Sequence, residues 1–294
     1  MFEKIMVPVD FSEHSTLAFG HARLIASAFG AELELVHVVE QVVHSHPSFW
    51  SAEPALADEL HRQSLRSAES LVAELAQAHQ QELGGRVQPR VVSGSLPGAL
   101  ADHAAASGVQ LIILSTHGRT GFARWLMGSV SERLLRVAPC SVLVVRGAGS
   151  GSAASVRRVL VAVDLSEHSR RALEVAARVA ERLGASLEAL HVWAVPFYAD
   201  EGTGKAGLLD RLRETARAEL DAFIDGAELP AGTTIERSVV SGSPTAAVCE
   251  HVASSHPDLL VLGTHGYGGV KRMVLGSVAE ALARYAGCAT LIVR

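Results

Sequence analysis

Cysteine is scarce in this chain, which has three among its 294 residues, too few for a framework of disulfide bonds. Long apolar runs are also missing: none approaches the roughly 18 to 20 residues of a membrane-spanning helix, and the start MFEKIMVPVD lacks the apolar core of a signal peptide. The net charge of -5 gives no basic field that would attract nucleic acid or an anionic membrane. We therefore expect a cytoplasmic protein that binds neither nucleic acid nor membrane.

What the chain does contain is an internal repeat. KIMVPVDFSEHS, from residue 4, aligns with RVLVAVDLSEHS, from residue 158, and ELELVHV aligns with SLEALHV at the same offset of 154 residues. From VVSGS onward the offset is 148 residues, so the second copy is six residues shorter. The length suits two domains. The repeat predicts them at 1–146 and 156–294, joined by a flexible Gly/Ser/Ala linker at 147–155.

Apolar runs alternate with helical patterns in each copy. Such alternation predicts a parallel sheet with helices on both faces, and right-handed crossovers restrict the strand order. The simplest solution is a doubly wound five-stranded sheet per copy, with a ligand site at the carboxyl ends of the strands where the winding reverses. In the first copy we predict strands at 4–9, 32–38, 87–92, 110–115 and 141–146, and helices at 14–28, 53–82, 97–107 and 129–137.

A glycine-rich segment follows the fourth predicted strand of each copy. It reads STHGRTGFARWLMGSV at 115–130 and GTHGYGGVKRMVLGSV at 263–278. Glycines permit a positive φ and a close approach of ligand to the backbone, successive N–H groups form an anion-binding nest, and the following helix adds its N-terminal amides. This pattern predicts a phosphate cradle. A Gly-Ser pair that merely starts a helix would explain the second half of the segment, but not GTHG.

The start of the following helix carries a second signal. Ser277 precedes Glu280 by three residues, and Ser129 precedes Glu132 in the same way, which predicts a capping box. The segment is neither a Walker loop, because no Gly-Lys-Ser/Thr follows the glycines, nor the dinucleotide fingerprint, which belongs after a first strand.

An aspartate ends the first predicted strand of each copy, Asp10 in VDFSEHS and Asp164 in VDLSEHS. A turn residue is one interpretation. The other is a hydrogen bond to a ribose or a base edge, since both aspartates stand at the predicted switch point. The serines that follow are candidates to cap the next helix, and they are Ser12 or Ser15 and Ser166 or Ser169.

With these features the chain resembles a tandem universal stress protein. The nucleotide motif of that family is Gly-x-x-Gly, nine residues, then Gly-Ser/Thr. The second copy matches it fully, whereas the first has Ser115 in place of the first glycine. The resemblance implies two tandem α/β sheets with strand order 3-2-1-4-5, paired through their last strands as an intrachain pseudo-dimer. A homodimer of the whole chain is also open.

The resemblance further implies that ATP or another adenine nucleotide, with or without Mg²⁺, binds across the ends of strands one and four. Because of Ser115, we expect the first copy to bind more weakly or not at all. The implied residues are Asp164, Val192, Gly263, His265, Gly266, Gly276, Ser277 and Val278 in the second copy, and Asp10, Val38, Ser115, His117, Gly118, Gly128, Ser129 and Val130 in the first.

Histidine is abundant, with 14 residues. The pair His117 and His265 stands inside the nest, where it either contacts phosphate or shapes the loop by ring packing. His44, His46 and His61 form a cluster, but no cysteine is nearby, so we assign no metal site. The other histidines in repeat pairs are His14/His168, His37/His191 and His103/His251.

Three functions remain open from the sequence. The first is a nucleotide-binding regulatory protein of the stress response, whose state an unknown protein partner reads. No pair of nucleophile and base predicts catalysis, although slow ATP hydrolysis or autophosphorylation stays open. The second is an adenine-nucleotide hydrolase or transferase, and the third is a protein-interaction module without nucleotide.

Overall fold

The chain forms two compact units, Met1–Ala154 and Ser155–Arg294. A computed structural model describes residues 1–40, 54–115, 127–146, 155–193, 206–265 and 275–294. The predicted linker, apart from Ser155, lies outside these ranges. Within the described segments, none of the helices combines the length and the apolar character that crossing a membrane requires.

The N-terminal unit is a parallel sheet with strand order β3-β2-β1-β4-β5. This order and the strand positions confirm the predicted fold class. Its strands are β1 (Lys4–Pro8), β2 (Glu32–Val39), β3 (Val87–Ser93), β4 (Leu111–Ser115) and β5 (Ser141–Val145), and its helices are α1 (Glu13–Phe29), α2 (Pro54–Gln80), α3 (Gly98–Ala106) and α4 (Ser129–Val137).

The C-terminal unit repeats this arrangement, with strand order β8-β7-β6-β9-β10. Its strands are β6 (Arg158–Val163), β7 (Ser186–Trp193), β8 (Ile235–Ser241), β9 (Leu259–Gly263) and β10 (Ala289–Val293), and its helices are α5 (Glu167–Leu183), α6 (Ala206–Asp225), α7 (Pro244–Ser255) and α8 (Ser277–Tyr285). Helix α6 is shorter than its counterpart α2, which agrees with the shorter second copy.

The central strands explain why both copies fold alike. Ile5, Met6 and Val7 of β1 are fully buried, as are Leu160 and Val161 of β6. A strand that is apolar on both faces is stable only when helices cover both sides of the sheet. In both units this arrangement brings the ends of the first and fourth strands together.

Candidate functional site

A cavity of about 460 Å³ lies at the carboxyl ends of the strands in the C-terminal unit. It is formed where β6 and β9, which are neighbours in the sheet, give way to the starts of α5 and α8. Gly266 lies outside the described residues. The other seven predicted residues of this copy all line the cavity, and they are Asp164, Val192, Gly263, His265, Gly276, Ser277 and Val278.

Helix α8 begins at this cavity without a side-chain cap. Its N-cap is Gly276, which has φ -64° and ψ 146°, so the predicted capping box is wrong. Ser277 is already the first helical residue, and Glu280 pairs instead with Arg284 at 3.4 Å. The N-terminal N–H groups of a helix have no acceptor within it. A glycine N-cap therefore leaves the first turn, at Ser277 and Val278, to bind something else.

The N-terminal unit repeats this helix start. Gly128 is the N-cap of α4, again without a side-chain hydrogen bond, so the predicted box of Ser129 and Glu132 is also wrong. A cavity of about 690 Å³ lies beside it. His117 and Gly118 lie outside the described residues, whereas the remaining predicted residues line the cavity together: Asp10, Val38, Ser115, Gly128, Ser129 and Val130.

Gly263 is required by packing rather than by its backbone angles. Its φ is not left-handed, but a Cβ atom added there would lie 2.8 Å from the carbonyl carbon and oxygen of His168 at the start of α5. Real Cβ atoms do not approach backbone so closely. The equivalent strand end in the N-terminal unit carries Ser115, so the two units differ in how the first helix meets the fourth strand.

Gly276 joins the two ends of the glycine-rich segment. Its N–H donates to the carbonyl oxygen of Thr264 at 2.8 Å, and an added Cβ would meet the same oxygen at 3.0 Å. One N–H of the predicted nest is therefore already bound within the protein, which leaves the amides of the first helical turn as the main anion donors among the described residues.

The two aspartates form local turns. Oδ1 of Asp164 accepts hydrogen bonds from the N–H of Ser166 at 3.1 Å and from its hydroxyl at 2.6 Å, and Asp10 does the same with Ser12 at 3.0 and 2.6 Å. The turn interpretation accounts for Oδ1. Asp164 is exposed and lines the cavity, so its carboxylate also faces the space where a ligand would lie.

The serine after this turn caps the helix in one unit. Ser166 is the N-cap of α5, where its hydroxyl accepts from the N–H of Ser169 at 3.2 Å. Ser12 is the N-cap of α1, but its side chain makes no capping bond. The prediction that one of these serines caps the helix is therefore confirmed by geometry at Ser166.

Sequence reasoning missed the residue that follows each aspartate. Leu165 has φ 64° and Phe11 has φ 60°, both in the left-handed region that large side chains rarely adopt. The strain occurs at the same repeat position in both units. The only sequence signal was the short spacing between the aspartate and its capping serine.

The histidine pair His37 and His191 has a structural role. Nδ1 of His37 lies 2.7 Å from the carbonyl oxygen of Val9, and Nδ1 of His191 lies 2.8 Å from that of Val163. In each unit this bond ties the second strand to the end of the first. The imidazole therefore helps to fix the strand ends from which the aspartate projects.

His265 lies where the glycine-rich segment leaves β9. Its Nδ1 is 3.0 Å from the hydroxyl oxygen of Thr264, and its ring lies 5.2 Å from that of His168. These contacts agree with the interpretation that His265 shapes the loop by packing. His44 and His46 lie outside the described residues, while Nε2 of His61 is 3.0 Å from the hydroxyl oxygen of Ser93. No group of three potential metal ligands occurs in the part of the chain that the structure describes.

The fold and the cavity define a doubly wound α/β protein with its candidate ligand site at the carboxyl ends of the strands. The model of the universal stress protein family matches residues 1–146 and 155–294. The chain therefore belongs to that family, as a member with two tandem copies.

Relatives and solved structures agree with this assignment. A universal stress protein of Mycolicibacterium smegmatis is 31% identical over 306 residues, covering 99% of this chain and 96% of the relative. The crystal structure of a universal stress protein from Archaeoglobus fulgidus has a TM-score of 0.65 at 21% identity, covering 100% of this chain and 99% of that chain. A functionally unknown protein from Pseudomonas aeruginosa has a TM-score of 0.69 at 19% identity, covering 99% and 92%. At such identities the structural likeness shows the fold.

Proposed function

We propose that this protein binds an adenine nucleotide, with ATP as the first candidate, in the cavity of its C-terminal unit that contains Asp164 and Gly276. The observation that carries the proposal is the start of α8, where a glycine N-cap leaves the first-turn amides without a side-chain acceptor beside a cavity. A helix N-terminus of this kind favours phosphate, since its N–H groups and its dipole both attract negative charge.

The other end of the cavity suits a nucleoside. Val192 offers backbone groups at the end of β7, and Asp164 offers a carboxylate at the end of β6. In dinucleotide-binding sheets a carboxylate at the carboxyl-end crevice accepts a hydrogen bond from a ribose hydroxyl, and Asp164 offers the same group at the end of a neighbouring strand. In the proposal, adenine meets the backbone at Val192, ribose meets Asp164, and the phosphates reach Gly276, Ser277 and Val278. The N-terminal cavity binds the same ligand more weakly.

The proposed role is regulatory. ATP selects one state of the protein, and a partner protein of the stress response reads that state. We assign no catalytic residue, and Mg²⁺ enters only as the ion that accompanies ATP. Extraction of the purified protein followed by mass spectrometry would identify the bound nucleotide and distinguish ATP from ADP, AMP and a cyclic nucleotide.

Replacing Val278 by aspartate tests the phosphate end. Val278 is 40% exposed in the first turn of α8, where a carboxylate stabilises the helix but repels phosphate. We expect Val278→Asp to weaken MgATP binding by about tenfold or more while the free energy of unfolding stays the same or rises. Isothermal titration calorimetry and urea unfolding measure the two effects.

The N-terminal unit supplies the matched control. Val130 occupies the same position of α4 and is equally exposed, at 40%, so Val130→Asp should leave the strong site intact. The proposal fails if the wild type does not bind adenine nucleotides, or if Val278→Asp binds MgATP as tightly as the wild type.

A further inference from the structure

A second cavity of the C-terminal unit lies at the opposite ends of the strands. It has a volume of about 740 Å³ and lies where β6, β7 and β8 begin. Its charged wall is formed by Glu188 of β7, Glu236 of β8 and His251 of α7, with Ser238 beside them. None of these residues belongs to the candidate nucleotide site.

The two carboxylates of this wall are neighbours. Glu188 and Glu236 are register partners on adjacent parallel strands, and both line the cavity. Like charges placed opposite each other destabilise a sheet. Glu188 pairs with Nε2 of His251 at 2.7 Å, but within the described ranges no lysine or arginine is ion-paired with either glutamate.

Arg158 stands at the same wall but is engaged elsewhere. Its guanidinium donates to the carbonyl oxygen of Ser255 at 2.6 Å, and its backbone N–H donates to Asp258. The wall therefore has two carboxylates facing a cavity, one of them bound only to an imidazole.

The N-terminal unit shows what occupies the same position in the other copy. Glu34 aligns with Glu188 and makes the same bond to a histidine, His103, at 2.9 Å. There, however, the carboxylate also meets Nζ of Lys4 at 3.5 Å and Nε of Arg90 at 3.7 Å. With these cations in place the Glu34 side chain is 2% exposed, whereas that of Glu188 is 19% exposed.

Two of the differences between the copies change the charge beside the second and third strands; a third, Ser186 in place of Glu32, removes an anion at the edge of the cavity. Ser238 stands where the first copy has Arg90, which removes a cation, and Glu236 stands where the first copy has Gln88, which adds an anion. Ser238 lines the cavity, so the space that an arginine side chain at position 238 would fill is part of that cavity.

We propose that this cavity binds a small organic cation, either an alkylguanidinium or a primary alkylammonium. Its charged group forms ion pairs with Glu188 and Glu236, as Arg90 does with Glu34 in the other copy. Arg90 is itself 47% exposed, so the equivalent position is reached from solvent. An organic cation fits better than a metal ion, since the described residues hold no group of three potential metal ligands.

The test uses n-butylguanidinium, which reproduces the end of an arginine side chain, added to the full chain without nucleotide. Amide chemical shifts should change and saturate around Glu188 and Ser238, while the neutral isostere n-butylurea should produce no such change. Glu188→Gln keeps the shape of the side chain and should weaken binding about tenfold or more.

Exchanging the residues between the copies provides the controls. Ser238→Arg should abolish binding, because the guanidinium of the chain then occupies the carboxylates. Arg90→Ser should create no equal site around Glu34, because Lys4 stays on that carboxylate and Gln88 adds no second one. The inference is overturned if n-butylurea gives the same shifts, or if Ser238→Arg binds as the wild type does. Folding of each variant is checked by its amide spectrum.

Discussion

At the scale of single residues, the strain at Leu165 and Phe11 is the feature with the most direct bearing on the candidate site. A left-handed conformation costs a large L-residue about 1–2 kcal/mol, and such strain persists where the surroundings hold it in place. Here the strained residue stands between the aspartate and the serine that binds it. The left-handed turn and its hydrogen bonds therefore hold the carboxylate at the end of the strand.

Glycine and alanine variants at Leu165 measure this strain. Both remove the leucine side chain, but only glycine adopts a φ of 64° without penalty. We expect Leu165→Gly to be more stable than Leu165→Ala by about 1 kcal/mol, the reverse of the order at ordinary positions. Urea unfolding of the two variants decides the matter, and a more stable alanine variant would contradict the assignment.

At the scale of secondary-structure elements, helix α1 contains His21, and burial of this histidine in the folded protein disfavours its protonated form. Burial lowers the pKa of His21 below its ordinary value of 6.5, and this outweighs the contribution of the Leu17 carbonyl, 3.3 Å from Nδ1, which raises it. The unfolded chain then takes up a proton at a higher pH than the folded chain does. Acidification through the region of pH 6.5 therefore destabilises the folded state.

His21→Gln should reduce this dependence. At pH 8 the imidazole is neutral in both states, so the difference in stability between variant and wild type at that pH serves as the reference. As the pH falls to 5, the wild type should lose more stability than the variant, because only the wild type carries the titrating ring at this position. Parallel loss in both proteins, measured by urea unfolding, would show that other groups account for the pH dependence.

Elements were predicted well from the sequence wherever burial determines the pattern. The strand prediction 87–92 differs from β3 by one residue and the helix prediction 129–137 equals α4, because buried strands require continuous apolar runs and helices interrupt them. The capping of α8 was predicted wrongly. A capping box assumes that the helix satisfies its own first turn, whereas Gly276 leaves that turn open.

The positions of the candidate site could be predicted from the sequence, but the contacts that those residues make could be predicted less well. The strand-end aspartates and the helix-start glycines were identified because both copies repeat them. The role of Gly263 was not, because contact with the backbone of His168 is a tertiary property. The charged wall of Glu188 and Glu236 was also missed, since it depends on the register between β7 and β8.

At the scale of the whole molecule, the two copies have diverged at both ends of their sheets. Ser115 replaces a glycine at the candidate nucleotide site, and Ser238 replaces an arginine at the opposite end. Duplication allows one copy to keep an interaction within the protein while the other binds a ligand. The pairing of the two halves through their last strands stays a prediction.

Titration of the full chain with MgATP tests this asymmetry. We expect one strong site and a second that is weaker by about fivefold or more, corresponding to about 1 kcal/mol for the serine at the strand end. Ser115→Gly should strengthen the weak site without changing the strong one, and Gly263→Ser should weaken the strong site because its Cβ meets the start of α5. Two equal sites in the wild type would refute the asymmetry.

The hydrogen bond from Gly276 to Thr264 has a consequence for which substitutions this chain can accept. It closes the glycine-rich segment at its base, so the helix start and the strand end keep their spacing whatever lies between them. We therefore expect that new side chains in that interval leave the amides at Ser277 and Val278 in place. Side chains of the interval can then be substituted one by one, in nature or in the laboratory, while Gly276 and Thr264 hold its two ends together.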